Sequence, residues 1–150
     1  MSRTRLTTLA GTAVATLAFS GLAITGTSHA APHRAASTSH QLSFVSRTVA
    51  SHRIGRNALI ETDKAVRNGS VIGYTANSCT FDFAAATAHC LVTLARADGQ
   101  LRTRVTVDNE TGVVRGAVTG GSGAYSGATG TVAGRATSPS SVAITLRWTD

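Results

Sequence analysis

The sequence predicts an all-β protein, an eight-stranded antiparallel up-and-down barrel of calycin-like type, and three observations lead there. Two-residue hairpin signals at Asn68-Gly69 and Asp98-Gly99 are each flanked by strand-like runs. Such dipeptides supply the positive φ values of a type I′ turn. Late in the chain apolar and polar residues alternate with period two. Leu101, Thr103, Val105 and Val107 share one face, and Val142, Ile144, Leu146 and Trp148 share another. Finally, residues 116–130 (GAVTGGSGAYSGATG) hold six of the fifteen glycines around a single tyrosine. Within strand-like sequence, residues without Cβ permit bending and close approach of a neighbouring chain.

The elements follow in order. Arg3 and Arg5 form a short positive region, residues 6–24 are almost free of charge, and Ser28-His29-Ala30 offers small residues at a signal-peptidase site. Residues 1–30 therefore read as a secretory signal peptide rather than a membrane anchor, with no stable membrane insertion once it is cleaved. Residues 31–40 (APHRAASTSH) show no period and read as a flexible leader. The domain proper spans 41–150. Strands are expected near 42–49, 57–67, 70–83, 87–97, 100–108, 113–120, 124–136 and 142–149. Beyond the two hairpin signals, breaks are expected at 84–88, 109–112 and around Pro139. A sheet of this size removes its vulnerable edges most completely by closing into a barrel, while a two-sheet sandwich is the competing arrangement.

Charge bounds the partners. After signal cleavage twelve basic residues face seven acidic ones, a net charge of +5, and eleven of the twelve are arginine. They are scattered singly, and Arg102, Arg104 and Arg147 alternate with apolar residues as a solvated strand face does, so nucleic acid is not an expected partner. His33, His40, His52 and His89 lack metal-ligand spacing, so no metal is expected. No cofactor motif is present either, because the glycine run lacks the Gly-Lys-Ser/Thr ending of a phosphate loop and Ser122 lacks the Gly-x-Ser-x-Gly elbow of hydrolases. A hairpin turning near Ala84 to Ala86 would bring Cys79 opposite Cys90. In a secreted chain that favours a disulfide, the alternative being a free Cys79 thiol that faces a cavity.

Three segments carry a family resemblance. The order of residues 72–79 (IGYTANSC), then Asp98-Gly99-Gln100-Leu101, then 117–132 (AVTGGSGAYSGATGTV) resembles the allene oxide cyclase barrel-like proteins and, more distantly, the dirigent proteins, over about residues 57–148. The resemblance implies an eight-stranded barrel with a central pocket, often assembled as trimers. Allene oxide cyclases steer ring closure with an early carboxylate, an asparagine-held water and a cysteine. Only Cys79 has a clear matching position; residues 41–46 lack the glutamate, and the asparagine position falls near Glu61. Plant-type allene oxide cyclase activity is therefore not expected. Dirigent proteins use an acidic, arginine and tyrosine set, and Asp63 and Tyr74 lie near its acidic and aromatic members.

The expected function is a secreted barrel that binds an apolar small molecule, with isomerase- or cyclase-type chemistry as its active form. The alternative is a non-catalytic secreted module with a filled barrel. Glu61, Asp63 and Tyr74 are the catalytic candidates; Phe81, Phe83 and Tyr125 are the candidates for contact with a ligand. Glu61 and Asp63 share a strand face, so the orientation of that face decides between the two. Inside, desolvation would raise at least one pKa and create a usable acid; outside, they form a wet edge.

Overall fold

A computed structural model describes residues 37–150. The expected signal peptide and most of the expected leader lie outside them. Eight strands follow one another: β1 (Ser39–Ile54), β2 (Ala58–Arg67), β3 (Ser70–Asp82), β4 (Thr87–Arg96), β5 (Gly99–Asp108), β6 (Val113–Gly123), β7 (Thr129–Ser138) and β8 (Ser141–Thr149). Each pairs antiparallel with the next, and β1 closes on β8 from Ser39↔Thr149 to Arg47↔Ser141. The result is a closed barrel, and the sandwich is excluded.

Closure is staggered. A row of paired residues runs from Leu42 through Leu146, Val132, Gly116, Val105, Cys90, Cys79 and Leu59. It returns to β1 at Arg53 instead of Leu42. This offset is the shear that tilts strands in a barrel of this size. Inward positions along the row are mostly apolar and buried, as the alternation of β5 and β8 predicts.

Several boundaries differ from the sequence expectation, among them the end of β6, which runs on to Gly123 rather than stopping near 120. Strand β1 begins at Ser39, inside the expected leader, and runs on to Ile54, because Ser39 and His40 pair with Thr149 and Trp148 and residues 50–54 pair with β2. The segment 124–136 is not one strand. Ala124 to Gly127 form a turn, and β7 starts only at Thr129. The Asn68-Gly69 turn has positive φ at both residues (51° and 79°), as type I′ requires. The Asp98-Gly99 signal is displaced by one position: Arg96 pairs with Gly99, so Ala97 and Asp98 form the turn, and neither has positive φ.

The glycine-tyrosine segment makes the floor of the barrel. Past Val118, strand β6 stays with β5 but leaves β7, and the following turn carries Tyr125 under the barrel. There the Tyr125 ring meets Trp148 edge-on at 5.7 Å, and its hydroxyl donates to Asp98 Oδ1 at 3.0 Å. That bond ties the β6–β7 turn to the β4–β5 turn. Burial first and the Asp98 bond second push the Tyr125 phenol above its ordinary pKa. Gly130 matters for approach rather than dihedral freedom: a Cβ there would collide with the Arg147 carbonyl and the Trp148 backbone of β8.

Cys79 and Cys90 are cross-strand partners in β3 and β4 and form a disulfide, eleven residues apart in sequence. Closing a loop of that length stabilises a fold by about 3 kcal/mol through the entropy it removes from the unfolded chain. Thiol titration of the denatured, unreduced protein should find no free cysteine. The double substitution Cys79→Ser/Cys90→Ser should lower unfolding free energy by about 3 kcal/mol in a urea titration, and an unchanged midpoint would count against the bond. At the floor, Tyr125→Phe should cost about 1 kcal/mol, the usual worth of one hydrogen bond, and Tyr125→Ala about 3–5 kcal/mol, both read from the same titration.

Candidate functional site

The interior of the barrel is not filled. A cavity of about 350 Å³ opens between the β3–β4, β5–β6 and β7–β8 connections, with Phe81, Asn109, Pro139 and Ser140 around its upper part. Its far walls are mostly apolar: Val105, Val107, Val114, Val132, Ile144 and Leu146 come from β5 to β8, with the Thr103 hydroxyl of β5 as a buried polar exception. The wall of β1 to β3 differs. There the inward positions carry Ser46 and Thr48, Glu61 and Asp63, and Thr75 and Asn77, all lining the same space.

The period of two explains how these six residues meet. Ser46 and Thr48 continue the inward phase of Leu42 and Phe44, and Thr75 and Asn77 precede Cys79 in its phase. Register then stacks them, since Asp63 pairs with Thr48 on one side and Thr75 on the other, and Glu61 pairs with Asn77. A bulge at Val49 interrupts the pairing just after Thr48, before it resumes at Ala50, the kind of kink that re-aims a strand beside a site.

Asp63 is the centre of the cluster and only 6% exposed. Its Oδ2 accepts hydrogen bonds from Ser46 Oγ at 2.7 Å, Thr75 Oγ1 at 3.0 Å and Asn77 Nδ2 at 2.8 Å. Its other oxygen, Oδ1, is buried with no donor from the protein, and so is Asn77 Oδ1. Nearer the mouth, Glu61 accepts a hydrogen bond from Thr48 Oγ1. Loss of solvent pushes the Glu61 carboxyl above its ordinary pKa of 4.5; the Thr48 bond opposes the shift, and the Asp63 charge adds to it. Glu61 is thus held closer to protonation than a free glutamate.

The remaining candidates are distributed unevenly. Phe81 lines the cavity near its mouth. Phe83 lies beyond the end of β3, in the turn, where alternation no longer applies; it is 67% exposed and stacks on Phe81 with centroids 6.0 Å apart. Tyr74 is 56% exposed, because its parity on β3 is opposite to that of Thr75, Asn77 and Cys79, and it does not meet Glu61 or Asp63. Tyr125 lies in the floor, outside the cavity lining. Cys79 and Cys90 do line the cavity, but as a disulfide, so no Cys79 thiol faces it. Ser46, Thr48, Thr75 and Asn77 were legible only by extending the apolar phases of Phe44 and Cys79 into polar residues.

No family model matches the chain, and no curated protein matches it in sequence. Solved structures do. The chain is similar to a pyocyanin demethylase (TM-score 0.59, 17% identity, covering 74% of this chain and 99% of that one). It is similar also to AbnU, an exo-specific intermolecular Diels-Alderase (TM-score 0.61, 13% identity, covering 75% and 99%). At such identity the likeness is one of fold, so it supports an eight-stranded barrel and not the allene oxide cyclase or dirigent families in particular.

The raised Glu61 carboxyl has a consequence for stability. Between its ordinary value of 4.5 and its raised value the native state binds more protons than the unfolded chain, so stability falls as pH rises through that window. Thermal unfolding of the wild type and Glu61→Gln from pH 4 to pH 7.5 should show the variant gaining on the wild type as pH rises. A constant gap would mean that the Glu61 carboxyl is not perturbed.

Proposed function

We propose that this chain is a secreted small-molecule-binding barrel whose ligand enters the cavity and meets Glu61 and Asp63, and that these two residues support chemistry of the isomerase or cyclase type, with Glu61 as its acid or base. The observation that carries this reading is the position of both carboxylates inside an otherwise largely apolar cavity of about 350 Å³. Pockets that bind small molecules have this character, apolar walls with a few convergent polar groups, and this volume lies in their usual range. A filled interior with Glu61 and Asp63 outside would have favoured the structural-module alternative. The roles differ by environment. Glu61, with its raised pKa, is the proton donor or acceptor; Asp63, fixed by three hydrogen bonds, orients the ligand and stabilises positive charge that develops in it.

Two further observations support the reading. The similar barrels bear the names of enzymes that act on small organic molecules, a demethylase and a Diels-Alderase. A largely apolar cavity suits cyclisation, where holding a flexible substrate in a reactive conformer lowers the barrier. For secretion, support comes from the Cys79–Cys90 disulfide, which persists in oxidising compartments, and from the signal-like residues 1–30. Among the described residues no helix is long and apolar enough to cross a membrane.

Fluorescence titration with the neutral apolar probe N-phenyl-1-naphthylamine tests the cavity. Saturable one-to-one binding is expected. Ala88→Leu, which fills space beside Phe81, should weaken it at least tenfold with an unchanged far-ultraviolet circular dichroism spectrum. Absent binding, or binding indifferent to Ala88→Leu, would overturn the proposal.

A further inference from the structure

The cavity is acidic in a basic protein. Its lining includes two carboxylates, yet none of the described residues that line it is lysine, arginine or histidine, although the chain as a whole carries a formal charge of +7. Around Asp63, hydrogen-bonding capacity is equally one-sided. The hydroxyls of Ser46 and Thr75 and the amide of Asn77 are already turned toward Asp63 Oδ2. Around Asp63 the buried atoms left over are acceptors, Asp63 Oδ1 and Asn77 Oδ1, both without a donor from the protein, while the other buried hydroxyl of the lining, Thr103, lies on β5. The Asn77 amide cannot be reversed to relieve this, because its Nδ2 would then no longer donate to Asp63.

From this we infer that the ligand is an apolar molecule carrying one protonated primary or secondary amine, which is received at Asp63. The inference rests on the small-molecule-binding reading above and names its ligand class. An ammonium group brings the two features that the site lacks, a positive charge and more than one N–H donor. It answers Asp63 Oδ1 and Asn77 Oδ1 together. A carboxylate ligand would place a further acidic group beside two others in a largely apolar cavity, and a plain hydrocarbon would leave both acceptors unsatisfied, each a substantial penalty. The apolar body then lies toward Val105, Val114 and Val132, across the barrel from β2.

Glu61 stands between Asp63 and the mouth, so it flanks the path of the cation. Arg53 does not oppose entry from within. Its guanidinium lies over the Phe81 ring, 5.4 Å from the centroid, and donates to the Arg56 carbonyl at 3.3 Å; Arg53 is exposed and outside the cavity lining.

Three probes of matched size test the assignment: 1-naphthylmethylamine, 1-naphthylmethanol and 1-naphthoic acid, each titrated by calorimetry at pH 7 into the disulfide-bonded protein. The amine should bind at least about tenfold more tightly than the alcohol, as a charge-assisted hydrogen bond implies, and the acid most weakly. Asp63→Asn should bring amine and alcohol within about threefold. Glu61→Gln, which keeps the Asp63 cluster, should narrow the gap by a smaller factor and serves if Asp63→Asn does not fold. Alcohol binding as tight as the amine, or a preference indifferent to both substitutions, overturns the ammonium assignment while leaving the cavity reading intact. No binding by any of the three overturns both.

Discussion

The pairing of β1 with β8 is the constraint on which the rest depends. Without it the same eight strands form an open sheet whose first and last members expose unpaired backbone groups. With it the inward phase of every strand faces a common interior, and the stagger that returns Leu42 to Arg53 fixes which inward residues share a level. One consequence is the placement of Glu61 and Asp63. Their alternation puts them on a single strand face, and closure makes that face the inner one.

Burying Asp63 opposes folding, and the structure shows how the opposition is reduced. Three short side chains from β1 and β3 converge on one carboxylate oxygen, replacing water that the cavity wall excludes. The compensation is incomplete at Oδ1, where no protein donor arrives. Partial satisfaction of this kind is a stability defect in a purely structural core and a recognition element in a binding site. Small residues serve a second purpose. Because Ser46, Thr75 and Ala88 are short, the interior keeps a void that leucine or phenylalanine at the same positions would occupy.

The fold was largely legible in the residues. Alternation in β5 and β8, the Asn68-Gly69 turn and the cysteine phases all point to the pairing observed, because each depends only on local backbone geometry. Boundaries were less legible where tertiary contacts override local pattern. Ser39 and His40 look structureless until Thr149 and Trp148 pair with them, and the turn at Ala124 to Gly127 interrupts what reads as a continuous strand. At the site, the acidic pair stood out by composition, but its partners did not. Serine, threonine and asparagine in strands usually signify a wet face, and only the phase shared with Phe44 and Cys79 marks these four as internal. Phe83 shows the converse, since its phase holds only while the strand does.

The polar arc has a further property, visible in chain order. Every member of it falls between Ser46 and Asn77, on one uninterrupted meander, whereas the apolar walls and the floor are completed by the remaining strands and by the turn that carries Tyr125. The acidic cluster and most of the apolar wall thus come from different stretches of sequence. Changes at these six inward positions alone alter the polar character of the interior, while β1 keeps its pairing with β8 and β3 its share of the disulfide. The interior is therefore polar on one contiguous meander and largely apolar elsewhere, an asymmetry written along the chain before it is written across the barrel.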